Sequence, residues 1–161
     1  MAGVKIIIGS KSDLKNIEGL FSTLDELEIQ YELILTSAHR SPNRTYRIAK
    51  SLGDEGVVVV ACGKAAHLPG VISSLTHLPV IGIPIRSGAF DGLDSLLSMS
   101  QMPSKVPVAT MGFDNDGAVN AAVLSARILA LSDTKLRKRL KKYILELEKG
   151  IERDSEELRG S

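Results

Sequence analysis

The sequence predicts a three-layer α/β sandwich on a central parallel sheet, followed by one long C-terminal helix. Three observations carry that expectation. Short apolar runs rich in Val and Ile each stop at a glycine or a polar turn, as buried parallel strands do. A stretch with apolar residues at helical spacing follows each of them. With no Trp and only 4 % aromatic residues, the interior has to be assembled from Val, Ile, Leu and Ala.

The first run, Val4 to Ile8, is apolar apart from Lys5 and stops at Gly9-Ser10, which reads as a central strand. Leu14, Ile17, Leu20, Phe21, Leu24 and Leu27 then share one helix face, with Ser12 or Asp13 as the N-cap. The second strand is Tyr31 to Leu35. After the polar turn Thr36 to Ser41, Pro42 opens a second helix that continues to about Glu55, where Gly56 ends it. Val57 to Ala61 is the most strand-like run in the chain, and the loop Cys62 to Gly70 leads into a short helix ending near Leu75. Pro79 to Ile83 and Val106 to Thr110 supply the fourth and fifth strands, succeeded by helices at about Gly92–Gln101 and Ala118–Leu131. Five strand-then-helix units with short connections make a flavodoxin-like parallel sheet covered by helices. The polar, glycine-bearing segments follow the strands, so they lie at the carboxyl edge, where open α/β sheets bind ligands.

Asp133 caps a long charged helix whose Leu136, Leu140, Ile144 and Leu147 form a narrow stripe. The chain therefore divides into an α/β catalytic domain over 1–132 and a helical extension over 133–161. Such a stripe buries little alone, so the extension is expected to pack on neighbouring subunits; the alternative is an appendage on its own domain.

At 161 residues, with 43 % hydrophobic and 24 % charged, the composition is that of a globular domain and not of a disordered chain. A net charge of +1, with no basic block ahead of the C-terminal tail, argues against nucleic-acid binding. Cys62 stands alone, which allows neither an intrachain disulfide nor a zinc cluster and makes a reducing cytoplasm the expected setting. The N-terminal segment lacks the basic start and length of a signal peptide, and no apolar run approaches a membrane span.

Four segments at the sheet edge are candidates for chemistry. In Gly9-Ser10-Lys11-Ser12-Asp13, glycine admits a ligand to the backbone while hydroxyls and first-turn amides offer donors to an anion. Asp13 suits a ribose diol, since a carboxylate repels phosphate. Alone, this motif reads first as an ordinary helix cap. Ser37-Ala38-His39-Arg40-Ser41-Pro42 sets a guanidinium fork beside a hydroxyl, apt for phosphate, next to an imidazole able to transfer protons near neutrality. A lone loop histidine is commonly just a surface residue; sharing an edge with the first segment favours function here.

The third segment, Cys62 to Gly70, has small residues that leave room for a flat ligand and amides that suit a carboxylate. Its structural alternative is a tight loop closing the sheet end, with His67 bonded to backbone. The fourth, Ser87 to Pro103, reads as a capped helix with an apolar face, and structure is its favoured explanation. Asn120 is either structural or part of a subunit contact. No Walker loop, dinucleotide fingerprint or nucleophile elbow is present. His39, His67 and His77 lack metal-ligand spacing, so no metal is expected, and Cys62 reads as a small buried filler.

Taken in order, Gly-Ser-Lys-Ser-Asp, Ser-Ala-His-Arg-Ser-Pro, Ala-Ala-His-Leu-Pro-Gly, Asp-Ser-Leu-Leu-Ser with Gln-Met-Pro, and the Ala-rich helix around Asn120 resemble one family. It is that of the PurE-type N5-carboxyaminoimidazole ribonucleotide mutases, and the resemblance runs from about Ile6 to Leu131. It implies isomerisation of N5-carboxyaminoimidazole ribonucleotide to the 4-carboxy isomer in purine synthesis, without ATP, metal or cofactor, by octamers whose sites lie near subunit boundaries. On this resemblance Ser10, Asp13, Ser37 and Arg40, with Gly9 and Ser12 in the same segments, bind the ribose phosphate. His39 matches the proton-transfer histidine, and Gly63, Lys64, Ala65, Ala66, His67 and Leu68 match the wall around the migrating carboxylate.

The implied mechanism releases carbon dioxide from the carbamate while His39 protonates the nitrogen; C4 then attacks the trapped gas and His39 removes the C4 proton. Arg40 and the intact His-Leu-Pro-Gly at His67–Gly70 look like the mutase branch and not the related carboxylase branch. Lys64 departs from the pattern, since the family usually has glycine there, and Arg86 and Asp91 stand in a segment that commonly reads differently. The alternatives are direct carboxylation of aminoimidazole ribonucleotide with carbon dioxide, a non-catalytic ribonucleotide-binding module, and carboxylase-like chemistry on another mononucleotide.

Overall fold

Alternation along the strands sorts the apolar side chains onto two faces, and the helices follow that sorting. The computed structural model describes residues 3–160, so residues 1, 2 and 161, at the outer ends of the two expected units, lie outside it. In β1 (Val4–Ile8), β3 (Val57–Gly63) and β4 (Val80–Ile85), one face carries Val4, Ile6, Ile8, Val57, Val59, Ala61, Ile81, Ile83 and Ile85. Against it pack Leu20 and Leu24 of α1 (Glu18–Glu26) and the alanines of α5 (Asp114–Leu129). Ile7, Val58, Val60, Cys62 and Val80 point the other way, to meet α2 (Pro42–Lys50), α3 (Leu68–Ser73) and α4 (Leu93–Ser100).

The five strands are all parallel, in the order β2-β1-β3-β4-β5, with β2 at Tyr31–Leu35 and β5 at Ala109–Thr110. This is the flavodoxin-like α/β sandwich that the patterning predicts. The chain winds outward from β1 to β2, then returns to lay β3 on the other flank of β1. A crevice opens at the carboxyl ends where the winding reverses, between β1 and β3.

Several boundaries differ from the sequence-based expectation, each for a local reason. A 3-10 helix, Lys11–Asn16, precedes α1, and its cap is Ser10, whose side chain accepts from the Ser12 amide; Ser12 and Asp13 lie inside the turn. The second helix ends at Lys50 and not near Glu55, because the chain turns through a left-handed Gly53 (φ 76°). β3 extends through Cys62 and Gly63, and α3 starts at Leu68 inside the expected loop, with Pro69 in its first turn where a missing N–H costs nothing. β5 shrinks to two residues. α5 starts at Asp114, ahead of Ala118, with Asp114 and Asp116 complementing the positive end of the helix. At the edge strand β2, Tyr31, Leu33 and Leu35 stay 37 %, 45 % and 40 % exposed, so the sheet is not fully covered there.

The C-terminal α6 (Thr134–Arg159) is capped by Asp133, which accepts from the amides of Lys135 and Leu136. Leu136 and Leu140 are buried in the first core, and Arg139 Nε donates to the Leu27 carbonyl at 2.8 Å. Beyond Tyr143 the stripe Ile144, Leu147 and Ile151 is exposed. Among the described residues no helix is long and apolar enough to cross a membrane.

Candidate active site

A cleft of about 490 Å³ opens at the carboxyl edge over the β1/β3 switch point. All the residues that the family resemblance assigns to the site line it: Gly9, Ser10, Ser12 and Asp13 after β1; Ser37, His39 and Arg40 after β2; and Gly63, Lys64, Ala65, Ala66, His67 and Leu68 after β3. Three loops distant in sequence thus share one cavity, because parallel strands deliver all their carboxyl ends to the same edge.

A neighbouring hollow of about 480 Å³ shares Gly9, Ser10, Ser37 and Arg40 and adds Lys11, Thr36, Ser41 and Arg44. Three cations and no acidic residue line it, the electrostatics of an anion site. The turn that carries Arg40 is knotted by hydroxyls. The Ser37 amide donates to Ser41 Oγ at 3.1 Å, the Arg40 amide donates to Ser37 Oγ at 3.2 Å, and Thr36 Oγ1 lies 2.9 Å from Thr45 Oγ1. Arg40 Nη2 donates to the Gly9 carbonyl at 2.9 Å and Arg44 Nε to the Leu35 carbonyl at 3.3 Å. Each guanidinium is oriented by one donor and keeps others for a ligand.

At the other end, His39 Nε2 lies 2.6 Å from His67 Nδ1, with the rings edge to face at 79°. Two ring nitrogens at that distance share one hydrogen, and the tautomers decide which ring donates it. His67 meets His39 through its Nδ1, not the backbone.

The β3–α3 loop is strained and braced. Lys64 (φ 57°) and Ala66 (φ 40°) are left-handed without being glycine, a conformation that costs about 1–3 kcal/mol each. The Ala66 amide donates to the Gly63 carbonyl at 3.3 Å, and Ser98 Oγ of α4 donates to the Ala65 carbonyl at 2.6 Å. A Cβ on Gly63 would strike Ser87 Oγ and lie 2.9 Å from the Ile85 carbonyl oxygen; one on Gly70 would lie 2.9 Å from Met102 Cε. The Ser87–Pro103 segment thus packs against this loop through Ser87, Ser98 and Met102.

Burial pushes the Asp13 carboxyl above its ordinary value, against hydrogen bonds from Ser10 and Ser12 and the charge of Arg40. Burial, aided by the charge of Asp13, pushes the Cys62 thiol up to about 12, so it stays protonated and inert as a nucleophile, a filler of the second core.

Lys11, Arg44 and Ser87 line the two cavities without having been singled out. Lys11 sits inside the first motif, Arg44 in the helical turn after the second, and Ser87 follows β4 at the same edge; those positions were the available signals. Ser87 Oγ is buried without a hydrogen-bond partner among the described residues, a state that costs about 1–3 kcal/mol. His77 lies outside the cleft, its Nε2 3.5 Å from Asp54 Oδ1, and Asn120 is exposed on α5. Among the described residues no group of three or more His, Cys, Asp or Glu is placed to hold a metal ion.

Known proteins resemble this chain in sequence and in fold. Residues 3–150 match the AIR carboxylase family. The N5-carboxyaminoimidazole ribonucleotide mutase of Pyrococcus horikoshii is 46 % identical over 157 residues, covering 96 % of this chain and 88 % of that protein. That of Escherichia coli is 41 % identical over 141 residues, covering 86 % and 83 %. The crystal structure of Treponema denticola PurE superposes with a TM-score of 0.88 at 27 % identity, covering 98 % of this chain and 99 % of that one. Agreement at this identity, over the α/β unit and much of α6, establishes the kinship: the chain belongs to the AIR carboxylase family.

Proposed function

We propose that the protein isomerises N5-carboxyaminoimidazole ribonucleotide to 4-carboxyaminoimidazole ribonucleotide in purine synthesis. The observation that carries this reading is the His39–His67 pair standing across one cleft from a triply cationic hollow. Relatives named as mutases at 41–47 % identity support it. The phosphate occupies the Lys11, Arg40 and Arg44 side, and Asp13 accepts from the ribose hydroxyls. The carbamate N–C bond breaks, carbon dioxide leaves, and the nitrogen takes a proton from His39. C4 then forms its bond to the carbon dioxide and returns its proton to His39, so no proton is gained or lost overall. His67 holds the His39 ring in place and shares its proton. Holding the gas between small side chains replaces a bimolecular encounter by an oriented one.

As part of the same reading, the working unit is a homo-octamer; the exposed apolar residues of β2 and outer α6 support a chain that associates with itself. The test of function is product identification by carbon-13 NMR. Labelled carbamate substrate without added bicarbonate should give the 4-carboxy product. Product formed only from aminoimidazole ribonucleotide with high bicarbonate would assign the carboxylase reaction instead, and binding without turnover of either substrate would leave a nucleotide-binding module.

A further inference from the structure

The two ends of the cleft differ in how their cations are held. Arg40 and Arg44 are oriented by backbone carbonyls on the anion side. Across the cleft, the histidine pair has one other cation in its lining besides Arg40, namely Lys64. Its ammonium makes no hydrogen bond or ion pair within the described residues. It is also a lysine in a left-handed conformation (φ 57°) that glycine would adopt without strain, fastened there by the Gly63–Ala66 turn and the Ser98 brace. A lysine needed only for solubility gains nothing from that position. The wall thus keeps a strained, unpaired cation in the lining of the same cleft as His39 and His67.

We propose that Lys64 is the counter-cation of the substrate's carboxylate and sets the preference of this cleft for carboxylated over uncarboxylated nucleotide. The proposal rests on the reading of the cleft as a ribonucleotide carboxylate-transfer site. Such a substrate carries two anionic groups, and Lys11, Arg40 and Arg44 serve the phosphate. The carboxylate, beside His39 and His67, falls to Lys64. Because carbamate and product both carry that charge, Lys64 stabilises both ground states. Its loss therefore raises KM in each direction more than it lowers kcat.

The test compares affinities of the whole protein for 4-carboxyaminoimidazole ribonucleotide and aminoimidazole ribonucleotide by calorimetry. Lys64→Met keeps most of the length of the side chain, one atom short, and the backbone strain while removing the charge. It should weaken the carboxylated ligand about tenfold and shift the other by less than about twofold, as expected for one charge-assisted contact. Lys64→Arg should restore most of the preference. Lys64→Gly, which the loop geometry favours, should lose it as Lys64→Met does, and serves if the Met variant fails to fold. Equal weakening of both ligands, no change in either, or an Arg variant as poor as the Met variant would overturn the proposal. Wild-type protein that fails to turn over the carbamate would strike the mutase reading separately, since the affinity comparison needs no turnover.

Discussion

The two ends of the cleft are built on opposite principles. The anion side carries its function on long, exposed side chains, Lys11, Arg40 and Arg44, two of them aimed by hydrogen bonds to carbonyls. The histidine side carries it on backbone: left-handed residues at Lys64 and Ala66, a glycine pressed against Ser87, and a hydroxyl from α4 holding the loop. A phosphate needs charge and tolerates small displacements, so flexible arms suffice. On the proposed mechanism a proton passes over 2.6 Å and does not tolerate them, and a stiff loop supplies that accuracy.

The largest expected effect separates the two ends by kinetics. His39→Asn should lower kcat by about 10²–10⁴-fold while nucleotide affinity stays within a few-fold. Near-normal turnover would remove His39 from its role. Arg40→Ala should do the reverse, weakening both the carboxylated and the uncarboxylated nucleotide by about 10–100-fold, with kcat at saturation largely kept. An Arg40 variant that lost kcat at unchanged affinity would erase the distinction. Gly63→Ala tests stiffness: urea denaturation should show a loss of about 1–3 kcal/mol, because the new methyl meets Ser87 and the Ile85 carbonyl. A Gly63 variant as stable as wild type would mean the loop yields.

The smallest effect concerns Asp13, whose folded-state pKa is raised, chiefly by burial. Folding therefore favours its protonated form. The stability it contributes is complete below the ordinary value of 3.8 and is lost as pH rises through the folded-state pKa. Asp13→Asn should consequently gain on wild type in denaturant melts as pH rises from 3.8 through that higher value. A difference independent of pH would contradict the raised pKa.

Most of this architecture was readable in advance. β3 and β4 are buried along nearly their whole length, so their apolar runs declare them without ambiguity. The expected second helix outruns the observed one because Leu52, buried beyond its end, continues the apolar pattern while Gly53 turns the chain. The motif loops were readable because each follows a strand. Lys11 and Arg44 were not, since charged residues in a first helical turn look like solvated surface. Ser87 was hidden because its neighbour Gly63 belongs to another strand end. Lysine itself does not announce the left-handed backbone at position 64; the glycine usual there in the family that the motifs resemble is its one trace.

The reversal of winding at β1 has a consequence for how the molecule responds to its ligand. One wall of the cleft, from the β1 and β2 ends, is laid down before the chain returns past β1, and the other, from the β3 end, after it. No partly assembled intermediate lacking β3 and its following loop owns both walls, so on the proposed function only the complete native form grips a nucleotide. Ligand at a hundredfold its dissociation constant then adds about 2.7 kcal/mol to global stability. On that reading the melting temperature of the protein should climb with added nucleotide.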